Sequence, residues 1–195
     1  MGSVTGPGCR LGEALALRWD GVGLGVAITV DGTLHRLDGD WVVGEPKTPS
    51  AVRTVLLPVA VTDALQRQKT QQDAWQDAAG SNWQGGGFGF TGETGKPLFR
   101  STAEHSMKRE CARLGLPSMT PHGLRHLHAR LLLDEGIPVT AVSARLGHAN
   151  PQITLKVYAH TLAGQDGQAA QAIGRVLAPQ APQSRCEVGQ RVGAE

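Results

Sequence analysis

His122, Arg125 and His126 recur at spacings of three and four, so on a helix they share one face. An arginine beside two imidazoles joins a permanent, forked cation to groups that exchange protons near neutrality. Six of the seven histidines (His105, His122, His126, His128, His148 and His160) fall between residues 100 and 160, where eight Lys/Arg stand against four Asp/Glu. A cationic, histidine-rich segment suits a phosphate-handling surface; it also describes solvated helix faces, and charge alone leaves both open. His122-x-x-x-His126 is a zinc-ligand spacing as well. Gly123, however, stands where zinc hydrolases carry a general-base glutamate, and no cysteine or acidic third ligand is near in sequence, so no metal is expected.

The elements that must hold these residues are well punctuated. Thr120-Pro121 supplies an N-cap and a first-turn proline, and Gly136 closes that helix. Pro138 starts the next helix and Gly147 ends it, while Asn150-Pro151 repeats the start signal for a helix carrying Tyr158, the only tyrosine. Ser101 and Glu104 form a capping-box pattern for a helix running to about Leu114. Gly167–Leu177 carries a weaker helical pattern.

Upstream, Leu11–Trp19 reads as a helix end, and Val59–Ala78 has helical composition. Leu24–Val30, Thr33–Leu37, Trp41–Val43 and Val52–Leu57 read as strands, with Asp31-Gly32 and Gly39-Asp40 as hairpin turns, so one small antiparallel sheet is expected. Gly80–Pro97 reads as a long flexible loop; its Gly85–Gly89 run lacks the Lys-Ser/Thr ending of a nucleotide-binding P-loop. The expected fold is α+β and mainly helical, with a small antiparallel sheet near the N-terminus followed by a helical bundle. Residues 178–195, mixing Pro, Gln, Gly and Ser, read as a disordered tail.

At 195 residues and 40% apolar composition, the chain suits one domain with a tail. Nineteen Lys/Arg against 17 Asp/Glu exclude both a polybasic and an acidic tail. The balance is uneven: residues 1–99 hold eight Lys/Arg against ten Asp/Glu, and the positive excess lies beyond them. No apolar run approaches the roughly 18 residues of a membrane span, and the N-terminus lacks a secretory signal pattern. Cys9, Cys111 and Cys186 are odd in number and far apart, which suits a reducing cytoplasm.

Five segments in order then resemble the tyrosine recombinase (phage integrase) family: Gly8–Trp19, Pro46-Lys47-Thr48 through Arg53-Thr54-Val55, His122–Ala129, Leu146-Gly147-His148 and Tyr158-Ala159-His160. The resemblance covers about Gly8 to Leu162. It implies a recombinase catalytic fold over residues 1–177 and a catalytic set of Arg10, Lys47, His122, Arg125, His148 and the nucleophile Tyr158, with Glu13 supporting Arg10. The implied activity is site-specific DNA recombination or integration, by strand cleavage and rejoining through a 3′-phosphotyrosyl intermediate on Tyr158.

The residue types fit that chemistry. Two guanidiniums can donate in planar forks to the non-bridging oxygens, where charge builds during attack. A phenol, with a pKa of about 10, must lose a proton as it attacks, and a neutral imidazole from His122 or His148 could accept it. By resemblance, Lys47 protonates the leaving 5′-oxygen. No cofactor is implied.

Three departures qualify the match. Arg10 follows only nine residues, so a domain incomplete at its N-terminus and without a core-binding domain is expected, and with it weaker DNA affinity. Gly123 replaces a commonly acidic residue, and Pro49, Ala51 and Val52 trim the basic character of the hairpin stretch. Two rival readings are a catalytically inactive DNA-binding remnant and a type IB topoisomerase-like strand transferase. Implied partners are duplex DNA, three further protomers in a homotetramer on DNA, and an accessory directionality factor; no membrane partner is expected.

Overall fold

Leu11 and Leu15 recur four residues apart, one turn of helix, and α1 (Leu11–Ala16) buries all six of its residues. The computed structural model describes residues 7–23, 26–46, 48–152, 154–155 and 166–177. Leu11, Leu15 and Leu17 pack with Ile28, Val30, Leu34, Val55, Leu65, Phe88 and Phe90 into the main core.

The strands are antiparallel, as the sequence predicts, but they divide between two sheets. β1 (Val22–Gly23), β2 (Ala27–Val30) and β5 (Arg53–Leu56) form one sheet in the order β1-β2-β5. β3 (Thr33–Leu37) and β4 (Asp40–Gly44) form a separate hairpin. Both edges of β2 are taken by β1 and β5, so β3 cannot add to it. Asp31-Gly32 is therefore a crossing between sheets, not a hairpin turn. Gly32 is needed there for close approach, since a Cβ would come within 2.4 Å of Val43 Cγ1. The β3–β4 turn centres on Asp38 and Gly39, one residue earlier than expected, with φ of 48° and 96°; two positive φ angles are what a type I′ turn demands.

Helix α2 (Val59–Ala79) matches its predicted range and is polar along most of its length, burying Leu65 and Gln72. Gln72 explains why the glycine-rich segment after it is not the free loop expected from composition. Its Nε2 donates to Phe88 O at 3.0 Å and Thr91 Oγ1 at 2.6 Å. Trp19 N donates to Gly87 O, Gly89 N donates to Leu17 O, and Phe88, Phe90 and Thr91 are buried. Glycine content measures backbone freedom in isolation; the two phenylalanines and the polar clamp remove it here.

α3 (Arg100–Arg113) begins before the anticipated capping box. Phe99 is its N-cap, and Ser101 lies inside the first turn, where its carbonyl accepts from His105 Nδ1. Phe99 meets Trp41 edge-on at 5.0 Å, with Arg36 Cζ 4.8 Å from the Phe99 ring centre, and this contact sets where the helix starts. In α4 (Pro121–Asp134), Thr120 Oγ1 accepts from Gly123 N at 3.0 Å, as the sequence predicts. α5 (Val139–Leu146) is capped by Pro138 before it and by left-handed Gly147 (φ 69°) after it. Ala129 and Leu133 of α4 pack with Val142 and Leu146 of α5 in a second core cluster. Asn150 Oδ1 accepts from Gln152 N, opening the following helical segment, but Tyr158 and residues 178–195 lie outside the described residues.

The fold is α+β and mainly helical, as expected. The chain divides into two compact units, residues 1–161 and 162–195; the described part of the second is α6 (Asp166–Leu177). No helix among the described residues is long and apolar enough to cross a membrane.

Phe90 gives a direct test of the anchored loop. Phe90→Ala should lower the free energy of unfolding by about 3–5 kcal/mol in urea denaturation, as a buried aromatic truncation does. A loss under about 1 kcal/mol would mean that the segment lies outside the core.

Candidate active site

Arg10 is the N-cap of α1 and remains about half exposed, while Glu13, one turn on, is buried. Arg10 Nη1 donates to Glu13 Oε1 at 2.7 Å, and the Arg10 backbone N–H donates to Oε2 at 2.9 Å. A third donor comes from β5, where Arg53 Nη2 donates to the same Oε2 at 2.8 Å. Burial alone would raise the Glu13 carboxyl; the hydrogen bond from Arg53, those from Arg10 and the Arg53 charge outweigh it and hold the group below the usual carboxylate value.

Arg125, on α4, is buried and donates to two backbone carbonyls, Gly8 O from Nη1 and Leu146 O from Nη2, both at 2.7 Å. Burial first, then the charge of Arg10 and, further off, that of Arg53, press it down to about 10, so it stays cationic at neutral pH. No carboxylate among the described residues lies within ion-pair distance of Arg125. Glu13 therefore pairs with Arg10 and Arg53, while the Arg125 charge has no ion-pair partner among the described residues and is available to an anion.

Two clefts flank Arg10. One, of about 300 Å³, is lined by Arg10, Arg125, His122, Thr120 and Arg100. The other, of about 430 Å³, is lined by Arg10, His148, Gly147, Pro46 and Thr48. His122, Arg125 and His148, drawn from two further sequence segments, are thus brought around Arg10. Lys47 and Tyr158 lie outside the described residues, although Pro46 and Thr48, the neighbours of Lys47, line the cleft that holds His148.

The histidines divide by role. His148 Nδ1 lies 2.7 Å from the hydroxyl of fully buried Thr154, which fixes the ring. Burial first, then the charges of Arg125, Arg10 and Arg53, push His148 down to about 4, leaving it neutral at pH 7 and able to accept a proton. His128, also pushed down to about 4 by burial and then by Arg145, accepts from Arg145 Nε at 3.1 Å and serves the packing of α4. His122 and His126 bring their Nε2 atoms within 2.8 Å. Among the described residues, no third histidine, cysteine or carboxylate joins them to make a metal-binding group.

The sequence reading leaves out two contributors, Arg53 and Thr154. Arg53 did carry a signal: it shares the inward parity of strand β5 with buried Val55, and an arginine on an inward register needs partners. Thr154 carries no such mark, since its value lies only in meeting His148.

Residues 4–164 match the sequence model of the phage integrase family. The chain belongs to that family. Similar curated relatives include a tyrosine recombinase XerC-like protein of Caldanaerobacter subterraneus subsp. tengcongensis, 28% identical over 86% of this chain and 46% of that protein. The ICEBs1 integrase of Bacillus subtilis is 28% identical over 87% of this chain and 46% of its own length. Among solved structures, the Tn1549 transposon integrase in complex with transposon right-end DNA is similar with a TM-score of 0.71 at 25% identity, covering 91% of this chain and 57% of that one. XerA recombinase shares the fold, with a TM-score of 0.62 at 20% identity over 91% of this chain and 56% of that one. This integrase-family chain spans about half the length of the curated relatives it matches.

The environment of His148 predicts a pH response. In ¹H–¹⁵N spectra its imidazole should titrate near pH 4 and stay neutral through pH 6–8; a midpoint above 6 would contradict the burial and the arginine-rich surroundings of the ring. Because the folded value lies below the ordinary 6.5, the unfolded chain takes the proton first. His148 and His128 should therefore subtract stability as pH falls from about 6.5 towards 4, and have no such effect above 7.

Proposed function

We propose that the chain carries the catalytic domain of a DNA strand-exchange enzyme, cleaving and rejoining strands for site-specific recombination or integration. The observation that carries this reading is the shared position of Arg10. It lines one cleft with Arg125 and His122 and the other with His148, and among the described residues no carboxylate pairs with Arg125. Family membership and the likeness to an integrase bound to transposon DNA support duplex DNA as the substrate.

In this reading the domain spans residues 1–177. The phenolic oxygen of Tyr158 attacks the scissile phosphorus, forming a phosphorus–oxygen bond as the bond to the 5′-oxygen breaks. The phenol proton passes to a neutral imidazole, His122 or His148, and Lys47 protonates the departing 5′-oxygen. Arg10 and Arg125 donate to the non-bridging oxygens as charge accumulates there. The product is a 3′-phosphotyrosyl link with a free 5′-hydroxyl; reversal on a new 5′-hydroxyl rejoins the strands without nucleotide hydrolysis, because the phosphoester bond count is conserved. The family relationship supports action in the cytoplasm, assembly as a homotetramer on DNA and use of an accessory directionality factor.

A nicked suicide substrate tests the proposal. The wild-type chain should form an SDS-resistant protein–DNA adduct, and Tyr158→Phe should abolish it. Arg10→Gln, at a half-exposed position, should slow its formation by about 10²–10³. An adduct that survives Tyr158→Phe, a salt-sensitive gel shift with no adduct, or plasmid relaxation with no recombinant product would each overturn this reading.

A further inference from the structure

Arg53 is not part of the proposed catalytic set, yet it is the most heavily bonded side chain around it. Only 8% of its side chain is exposed. Its Nη2 donates to Glu13 Oε2 at 2.8 Å, its Nε to Arg145 O at 2.8 Å, and its Nη1 to Ala51 O at 3.0 Å. These three bonds reach three different parts of the chain: α1 through Glu13, the last turn of α5 through Arg145, and the segment between β4 and β5 through Ala51.

Each of those parts bears on a residue of the site. Glu13 holds Arg10, Arg145 is three residues before His148, and Ala51 lines the cleft shared by Arg10 and His148. Gly147 adds a steric link, since a Cβ there would come within 2.6 Å of Arg53 Nη1, so the turn that delivers His148 rests directly on the Arg53 guanidinium. Arg53 itself lines neither cleft among the described residues.

We infer that Arg53 is a positioning residue for strand cleavage: one buried guanidinium that sets Arg10 through Glu13 and His148 through the end of α5, without touching DNA. The inference rests on the strand-cleavage reading for its kinetic consequence, though not for its structural one. The physical reason is directional. Arg53 occupies Glu13 Oε2, which leaves Oε1 aimed at Arg10; a guanidinium can serve Glu13, Arg145 and Ala51 at once because its donors point along three fixed lines. Lysine offers a point charge and can satisfy Glu13 alone.

Two measurements test this on the full chain with Arg53→Gln, Arg53→Lys and Glu13→Gln. The first is single-turnover adduct formation on the suicide substrate at saturating protein, beside the DNA dissociation constant. Arg53→Gln should slow adduct formation by at least tenfold and change DNA affinity by less than threefold, with Arg53→Lys recovering part of the rate. Arg53→Gln combined with Glu13→Gln should lose less than the product of the two single losses, because the route from Arg53 to Arg10 runs through that one carboxylate. A wild-type rate in folded Arg53→Gln, a loss confined to affinity, or multiplying losses would overturn the inference.

The second measurement needs no activity. In ¹⁵N spectra of arginine side chains, assigned with Arg10→Lys, the Nη signals of Arg10 should be separate in the wild type and should collapse in Arg53→Gln, and the His148 imidazole should shift with them. Should Arg53→Gln fail to fold, Arg53→Lys and Glu13→Gln give the same readout. Should the wild type form no adduct, the strand-cleavage reading fails and the spectra alone decide the positioning role; unchanged Arg10 and His148 signals would refute it.

Discussion

The Glu13 carboxylate is the constraint on which the rest of this structure depends. It is a charged group taken out of water, a placement tolerated only when its oxygens are satisfied by matched donors. Three donors meet it: the Arg10 backbone, the Arg10 side chain and Arg53. Because Arg53 belongs to a strand and Arg10 to a helix N-cap, satisfying the carboxylate ties α1 to strand β5. Removing one donor would leave the charge buried and under-compensated, which costs more than the intact arrangement contributes.

The arrangement also keeps charge in reserve. A carboxylate for every arginine would make a neutral cluster with nothing left for a phosphate. Here Glu13 serves Arg10 and Arg53, while Arg125 leans on backbone carbonyls, which orient a guanidinium without cancelling its charge. Burial first, and then the neighbouring Arg10 charge, lowers Arg125, and a bound anion would favour its charged form against both. Burial, reinforced by the same positive surroundings, keeps His148 neutral, so the charges that attract an anion also help preserve a proton acceptor.

Much of this was legible in the sequence because it is local. Thr120, Pro121, Pro138 and Gly147 mark the ends of α4 and α5 through bonds made within a few residues, and those boundaries hold. The spacing of His122 and Arg125 along one helix likewise survives into a shared cleft. What composition could not reveal were contacts between distant segments. Gly80–Pro97 looked free because its glycines are visible locally, whereas Gln72 and the core pockets of Phe88 and Phe90 are not. Ser101 and Glu104 form a sound capping pattern, but the helix starts from Phe99, which meets Trp41 edge-on from 58 positions away in sequence. Arg53 shows the limit best: its decisive partners are Glu13, 40 residues before it, and Arg145, 92 after it.

The near-neutral total charge has a similar explanation. A sum over 195 residues weights every surface lysine and aspartate equally, yet an electrostatic site depends on which charges converge and which are cancelled on the spot. Lys69 pairs with Asp73 and Arg113 with Glu110, each on its own helix, and these contribute little beyond their immediate turn. Arg10 and Arg53 converge from a helix cap and a strand onto Glu13, while Arg125, from a second helix, lines a cleft with Arg10 and is held by backbone carbonyls. The fold thus builds a positive centre from a nearly balanced chain by pairing charges locally on the surface and separating them at the site. Gly123 fits the same economy: Thr120 already satisfies its N–H, so the first turn of α4 is capped without an acidic side chain that would draw down the charge beside Arg125.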